Sequence, residues 1–313
     1  MTGRDTEPDE DTPLERALAA VVSVHAFIPP DALTADVLGT ERVGSGVIIR
    51  EDGIAVTIGY LVTEAERIWL TLADKRVVAA DVAGIDQPSG LAVLRILERG
   101  SKPAIPIGSA GDVRLGAAVT MASGDGNRVS SRMIAKQEFC GYWEYRLDEA
   151  LFIAPAHTHW GGAALISRTG KLVGIGSLHI PGAVVAGEAT DLNMVVPIDL
   201  LKGVLDDLLR FGRIKTPARP WLGLYAQQDQ DRLVVGGIVR RGPAAAAGMK
   251  RGDKILSVAN TDVRDLSAFY SAVWALGPAG VEVPLAIERQ GRLQRVTITS
   301  GDRRDFLKQP TLH

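Results

Sequence analysis

The sequence predicts an all-β fold for roughly the first 200 residues and a smaller unit that combines strands with a helix for the rest. Between about residues 18 and 197, short runs of β-branched and apolar residues are separated by Gly, Asp and Pro. Short strands at such close spacing are typical of a β-barrel or a β-sandwich. Apolar residues at helical spacing follow at 199–209, and a second helical pattern at 266–276 is flanked by strand patterns.

Composition places the chain among ordinary globular proteins. It has 313 residues, enough for two or three compact units, with 46% hydrophobic and 23% charged residues. The net charge of −2 argues against an electrostatic surface for nucleic acids. Cys140 is the single cysteine, so no intrachain disulfide can form, and its neighbours supply no base that would activate the thiol.

The N-terminal segment reads as an acidic tail. Residues 1–13 are rich in Asp, Glu and Thr, which predicts disorder. They contain no basic region followed by an apolar run, as a secretory signal would. The apolar stretch at 17–24 is too short to cross a bilayer. We therefore expect a cytoplasmic protein without a membrane span, or a periplasmic one if the N-terminus is incomplete.

Four segments carry a resemblance to a known family. Residues 43–49 (VGSGVII), 84–96 (GIDQPSGLAVLRI) and 159–165 (HWGGAAL) resemble the GSGVII, GxDxxxDLAVLKI and NSGGPL segments of HtrA/Deg-type serine proteases. Residues 242–256 (GPAAAAGMKRGDKIL) resemble the PAxxAGLxxGDxI segment of PDZ domains. The order and spacing of these motifs extend the resemblance over about residues 17–305.

The resemblance implies a trypsin-like double β-barrel, with six strands in each barrel, followed by a small α+β PDZ domain. The helical pattern at 199–209 corresponds to the helix that closes the protease domain in this family. Together with the acidic tail at 1–13, the implied boundaries are a protease-like domain at 14–212, a linker at 213–219, a PDZ domain at 220–305 and a C-terminal tail at 306–313.

Three positions where the family carries its catalytic His, Asp and Ser hold Tyr60, Gly90 and Trp160 here. A triad requires a nucleophilic hydroxyl, an imidazole base and an orienting carboxylate. A phenol with a pKa near ~10 is a poor base, Gly has no side chain, and an indole offers one N–H donor only. We therefore expect a protein that is not an enzyme, a pseudoprotease without catalytic residues.

The loop before Trp160 also departs from the family pattern. Residues 156–162 (AHTHWGG) stand where the family has NPGNSGG, whose amides stabilise the developing oxyanion. Conformations that suit Gly are costly for His157 or for the β-branched Thr158. We expect a different backbone path in this loop, with Trp160 filling the former specificity pocket.

The PDZ-like unit begins at a carboxylate-binding loop. Residues 221–224 (WLGL) resemble that loop, so the resemblance places a peptide carboxylate on the amides of Leu222, Gly223 and Leu224. PDZ domains bind C-terminal or extended peptides by strand addition. Tyr270 and Trp274 are four residues apart on the predicted helix; we assign Tyr270 to the groove and Trp274 to the core.

These observations predict a catalytically inactive peptide-binding scaffold or regulator, without a cofactor, that acts in protein quality control. Its expected partners are peptides of other proteins, active HtrA paralogues and further copies of the chain in a homotrimer. A second hypothesis is a serine endopeptidase with a relocated site, for which Thr158, Ser130 and Ser131 are candidate nucleophiles.

A third hypothesis is a metal-binding module. In an extended segment, residues two apart point to one side, so His157 and His159 could face one ion. His179 is the candidate third ligand. Because stable sites need three or four ligands and loop histidines are common, we expect no metal at this pair.

Overall fold

The computed structural model describes residues 12–229 and 232–308, and these fall into two compact units. The first unit includes the described residues up to Gln137 and Glu149–Ile214, and the second includes Glu138–Asp148 and Lys215–Lys308. The predicted acidic tail lies outside the described residues except for its last two, where Thr12 caps a helix that begins at Pro13.

The first unit contains two closed six-stranded barrels, which confirms the predicted all-β architecture. The first barrel consists of β1 (Val21–Phe27), β2 (Glu41–Arg50), β3 (Ile54–Ile58), β4 (Arg67–Thr71), β5 (Val77–Asp86) and β6 (Leu91–Ile96). The second consists of β7 (Ala118–Ala122), β8 (Arg128–Gly141), β9 (Tyr145–Ala154), β10 (Ala164–Ser167), β11 (Leu172–Val185) and β12 (Glu188–Pro197). Their orders are β1-β2-β3-β6-β5-β4 and β10-β11-β12-β9-β8-β7.

Each barrel encloses an apolar core that the alternation of its strands explains. Along β1, Val22 and Val24 are fully buried, while Ser23 between them is only partly buried. In the second barrel, Met121, Leu151 and Leu165 belong to one buried cluster. Burial of such side chains contributes about 1.5–3 kcal/mol each, which makes these cores the main source of stability.

The described part of the first unit also has short α-helices. Two of them, α2 (Ala35–Leu38) and α3 (Gly59–Val62), lie between strands; α1 (Pro13–Leu18) precedes β1, and α4 (Asp199–Lys202) and α5 (Leu205–Phe211) follow β12. The single helix predicted at 199–209 is thus two helices, with Gly203 and Val204 between them. Gly212 ends α5 with a φ of 69°, in the left-handed region that favours Gly at a helix C-terminus.

The second unit is a mixed α+β domain, as predicted. Its strands are β13 (Leu224–Asp229), β14 (Arg232–Ile238), β15 (Lys254–Val258), β16 (Thr261–Asp262), β17 (Glu282–Arg289) and β18 (Arg292–Thr299), and its helices are α6 (Pro243–Ala246) and α7 (Leu266–Trp274). The sheet order is β13-β14-β15-β17-β18, with β16 paired to β15. Asp265 caps α7 by accepting a 2.8 Å hydrogen bond from the Ala268 amide.

The second unit also corrects a predicted boundary. We expected residues 14–212 to form one domain, but the ends of β8 and β9 and the turn between them, Glu138–Asp148, belong to the C-terminal unit. The physical reason is that Glu144 hydrogen bonds to residues 222–224. Among the residues that the structure describes, no helix has the length and apolar character needed to cross a bilayer.

Candidate functional site

Tyr60 lies in α3 with its hydroxyl inside a hydrogen-bonded chain. The hydroxyl donates to the Ser177 carbonyl at 2.9 Å and accepts a hydrogen bond from the Trp160 side chain. Burial raises the pKa of Tyr60 well above its ordinary value, an effect that the Trp160 hydrogen bond only partly opposes. The phenol is therefore neutral at physiological pH and is not placed to act as a base.

Gly90 forms the end of a tight turn beside α3. Its amide donates to the Asp86 carbonyl at 2.8 Å, and its own carbonyl accepts from the Gly59 amide at 2.6 Å. Its φ of 75° is left-handed, which a residue with a side chain adopts at a cost of about 1 kcal/mol. The turn is thus hydrogen-bonded to Gly59, the residue that precedes Tyr60 in the chain.

Trp160 connects the same place to the second barrel. Its ring stacks on His179 with a centroid distance of 5.2 Å and packs against the buried cluster around Met121. His179 in turn lies 3.2 Å from an Asp191 carboxylate oxygen. The fold therefore brings the three predicted positions, Tyr60, Gly90 and Trp160, to one place.

The loop that precedes Trp160 uses its amides within the protein. The His157 amide donates to Asn193 Oδ1 at 2.6 Å, and the His159 amide donates to His157 Nδ1 at 2.9 Å. The Gly162 amide donates to the Gly176 carbonyl at 2.9 Å. These three N–H groups are already paired with protein acceptors, so they do not form an anion-binding cradle in this arrangement.

His157 and His159 do not converge on a shared point. The His157 ring is buried, its Nδ1 accepts from the His159 amide, and its Nε2 lies 3.2 Å from the Asn127 carbonyl and 3.3 Å from Ser123 Oγ. Both ring nitrogens of His157 therefore have protein partners. The described part of the chain holds no group of three or more His, Cys, Asp or Glu residues that could bind a metal.

Asp125 organises the outer side of this loop. Its carboxylate lies 2.5 Å from His159 Nδ1 and accepts a hydrogen bond from the Ser123 hydroxyl. Burial raises the pKa of Asp125, but hydrogen bonds from Ser123, Asn127 and His159 outweigh burial and hold this pKa well below its ordinary value. Asp125 is therefore a charged acceptor that holds the loop.

In the second unit, the predicted carboxylate-binding loop holds a carboxylate of the same chain. The amides of Leu222, Gly223 and Leu224 donate to the Glu144 carboxylate at 2.8, 2.7 and 3.2 Å. Tyr270, the predicted groove residue, accepts from the Glu144 amide at 3.1 Å. The four residues predicted to bind peptide thus all contact Glu144, three of them through its carboxylate and Tyr270 through its backbone amide.

Sequence reasoning did not find Glu144. Residues 124–150 match the family pattern poorly, and no motif marks a glutamate in a turn as a ligand of a loop 78 residues away. Burial raises the pKa of Glu144 to about 7, although the three amide hydrogen bonds and the charge of Arg303 oppose that rise. The carboxyl group therefore changes its charge near neutral pH.

The comparisons with known proteins agree with this architecture. The trypsin-like peptidase domain family matches residues 44–175, and the PDZ domain family matches residues 220–299. Among solved structures, the HtrA-type protease AlgW with a decapeptide shares the fold with a TM-score of 0.56, at 21% identity, over 96% of this chain and 99% of that one. The serine endoprotease from Yersinia pestis gives a TM-score of 0.55 at 24% identity, over 95% of this chain and 99% of that one.

Curated relatives extend over most of the chain. Serine endoprotease DegS of Haemophilus influenzae is 30% identical over 79% of this chain and 74% of its own length, and DegS of Salmonella typhimurium is 27% identical over 91% and 84%. A probable periplasmic DegP-like serine endoprotease of Halomonas elongata is 28% identical over 85% of this chain. The chain spans 57% of the length of that last relative.

The names of these relatives contradict one prediction. We expected the chain not to be an enzyme, but all three relatives are named serine endoproteases. Catalytic inactivity therefore does not follow from Tyr60, Gly90 and Trp160 alone. The word periplasmic in the name of the Halomonas relative also stands against the expected cytoplasmic location. Sequence identity and domain order together establish that this chain belongs to the HtrA/DegS-type family of trypsin-like serine endoproteases with a C-terminal PDZ domain.

Proposed function

We propose that this protein binds the C-terminal or extended peptides of partner proteins through its PDZ unit. The observation that carries the proposal is the convergence of three consecutive amides, those of Leu222, Gly223 and Leu224, on one carboxylate, at 2.7–3.2 Å. A carboxylate that accepts several backbone N–H groups is held by charge-assisted hydrogen bonds, the strong kind. A peptide C-terminus presents the same group.

The neighbouring elements suit an extended peptide. β13 follows the loop directly. Its Ala226 amide donates at 3.2 Å to the carbonyl of Tyr142, a residue of the turn between β8 and β9 that lies against this strand. Strand addition of this kind provides main-chain affinity, while side-chain pockets provide specificity. The partner is therefore a peptide with a free carboxylate and an extended backbone.

The proposal is tested with a library of decapeptides that have randomised last four residues and a free C-terminal carboxylate. We expect the 313-residue chain to select a subset of them, and to lose these when the same peptides carry a C-terminal amide. Equal capture of both libraries would contradict carboxylate recognition.

A matched pair of glycine variants tests the loop itself. Gly223 has a φ of 73°, and a Cβ there would lie 3.1 Å from the Trp221 ring. Gly248, in the same unit, has a φ of 76° with no described heavy atom within 4 Å of such a Cβ. We expect Gly223→Ala to abolish peptide capture, because the added methyl group displaces the amides, and Gly248→Ala to keep it.

Peptide-bond hydrolysis is the second candidate function, and the names of the relatives favour it. Ser123 and His157 bring a hydroxyl and an imidazole within 3.3 Å. Because His157 Nδ1 accepts the His159 amide, Nε2 carries the proton of the neutral ring, so Ser123 has no free base in this arrangement. Hydrolysis at this pair would first require the ring to change its hydrogen bonds.

Fluorophosphonate labelling and casein cleavage test this second candidate on the wild type and on Ser123→Ala, Ser131→Ala and Thr158→Ala. Loss of labelling in one variant alone would identify the nucleophile. Absence of both labelling and cleavage in the wild type would contradict hydrolysis and would leave peptide binding intact.

Assembly is a further part of the proposal. Membership of the HtrA family supports a homotrimer and mixed assembly with active paralogues. Light scattering of the purified chain is expected to give three times the monomer mass, and a monomer at all concentrations would contradict it.

A further inference from the structure

Residues 138–148, which we call the 138–148 hairpin, lie between β13 and α7 of the second unit. Toward β13, the Tyr142 carbonyl accepts from the Ala226 amide at 3.2 Å. Toward α7, the Gly141 carbonyl accepts from the Tyr270 hydroxyl at 2.7 Å, and the Glu144 amide donates to the same hydroxyl at 3.1 Å. The hairpin therefore occupies the space between strand and helix where an extended peptide would add.

Side chains of the hairpin also contact the PDZ core and α7. The Cys140 side chain packs against the PDZ core cluster, and burial together with the nearby Glu138 carboxylate raises the pKa of its thiol to about 11. Glu138 accepts from the Ser267 hydroxyl at 2.9 Å, and the Arg146 guanidinium lies 5.7 Å from the centre of the Trp274 ring. Apolar, polar and cationic contacts thus all hold the segment.

Glu144 adopts a backbone conformation that its residue type disfavours. Its φ of 60° lies in the left-handed region, which costs a non-Gly residue about 1–2 kcal/mol. This conformation persists because the side chain accepts three amide hydrogen bonds at 2.7–3.2 Å. The turn is therefore held in the shape that delivers a carboxylate to the loop.

We propose that the 138–148 hairpin is an internal ligand of the PDZ groove, with the Glu144 carboxylate in the position that a partner's C-terminal carboxylate would take. This inference rests on the proposed peptide-binding function. A partner peptide then competes with the hairpin for the amides of residues 222–224, for the Ala226 amide and for the Tyr270 hydroxyl. Binding a partner releases the hairpin, and releasing the hairpin strengthens binding.

The test uses the 313-residue chain and a fluorescein-labelled peptide with the sequence of residues 138–148, EFCGYWEYRLD. Glu144→Gln keeps the size of the side chain, but one of its two accepting oxygens becomes an NH2 group, which cannot accept a hydrogen bond from the loop amides. We expect this variant to bind the labelled peptide at least about tenfold more tightly than the wild type, because its own hairpin competes less well. Glu149→Gln, which removes an exposed carboxylate outside the hairpin, is the control and is expected to match the wild type.

Amide hydrogen exchange provides a second measurement on the wild type itself, independent of how the variant folds. Saturation with a peptide selected from the free-carboxylate library is expected to accelerate exchange of residues 138–148 at least about tenfold. Unchanged exchange in a saturated complex would overturn the internal ligand and leave the proposed function standing. Faster exchange in Glu144→Gln, with no free-carboxylate peptide bound by either protein, would support the internal ligand and overturn the proposed function.

Discussion

The cluster around Tyr60 encloses a phenol, and the loop around Glu144 encloses a carboxyl group. The two groups differ in the hydrogen bonds that they make. Tyr60 donates one hydrogen bond and accepts another, so a neutral phenol satisfies both partners. Glu144 accepts from three amides, which favour a charge that burial opposes. Burial raises both pKa values, yet only that of Glu144, at about 7, falls in the physiological range. The first region is therefore a fixed neutral network, whereas the second can respond to its surroundings.

The largest effect is expected at Gly162, two residues after Trp160. A Cβ on Gly162 would lie 1.9 Å from the Ser45 carbonyl oxygen, and the φ of Gly162 is 76°. Gly162→Ala is expected to lower the free energy of unfolding by more than about 3 kcal/mol, since backbone must move. In Gly126→Ala, where φ is 92° and no described atom lies within 4 Å of a Cβ, only the left-handed strain of about 1 kcal/mol remains. Urea denaturation of both variants measures the difference, and equal losses would show that the contact is relieved without cost.

A change of pH is expected to separate the two regions. The docked pKa of Glu144, about 7, exceeds its ordinary value of 4.5, so the docked hairpin binds a proton more tightly than the released one. Docking is then strongest below about pH 4.5 and weakens as the pH rises through about 7. Arg303, Tyr225 and Tyr270 are charged or titratable groups that interact with this carboxyl, and the pKa of each tyrosine is raised above its ordinary value.

Hydrogen exchange of residues 138–148, corrected for the intrinsic pH dependence of amides, is expected to accelerate more than about tenfold between pH 5 and pH 8, since each pKa unit is a factor of ten. Glu144→Gln should give a flat corrected profile, because it cannot titrate. A flat profile in the wild type would mean that the three amides hold the carboxylate charged throughout this range.

Removal of the Tyr60 hydroxyl is expected to have an intermediate effect. Tyr60→Phe leaves the Ser177 carbonyl and the Trp160 N–H without this partner, which costs about 1–3 kcal/mol for buried groups. The control is Tyr142→Phe. Because Tyr142 is 47% exposed, loss of its hydroxyl should change the free energy of unfolding by less than about 0.5 kcal/mol. Thermal unfolding of the two variants checks the ranking, and a smaller loss in Tyr60→Phe would mean that water replaces the hydroxyl.

The smallest effect is expected for His159→Ala in the histidine loop. His159→Ala removes an exposed contact to Asp125, worth less than about 1 kcal/mol, whereas His157→Ala removes a buried ring with three partners and should cost about 2 kcal/mol. Zinc content after dialysis is expected to be the same in both variants as in the wild type, because both His157 nitrogens already have protein partners. Zinc lost equally in both variants would instead favour the metal-binding hypothesis.

Much of the fold could be predicted from local pattern. Short strands broken by Gly, Asp and Pro predicted the barrels, and the family motifs predicted their number and the PDZ unit. The helix at 199–209 was predicted as one element, but apolar spacing continues across Gly203 although the backbone does not remain helical there. Local pattern is informative about burial and is less informative about where a helix breaks.

The site residues divide in the same way. Tyr60, Gly90 and Trp160 were placed together by motif order alone, and the structure brings them together. Motif order did not determine activity, because the relatives that share this order are named endoproteases. Leu222, Gly223, Leu224 and Tyr270 remain a prediction as a peptide site, although all four contact one residue, Glu144: the three loop amides donate to its carboxylate, and the Tyr270 hydroxyl accepts from its backbone amide.

The short-strand pattern by itself predicted an all-β region, and the resemblance of its motifs to a known family implied the two barrels, the PDZ unit and the loop amides that bind a carboxylate. Only the tertiary structure decided that Glu144 supplies that carboxylate. The reason is physical: 78 residues separate Glu144 from Leu222, and no local propensity records a contact whose energy comes from three distant amides and a strained turn.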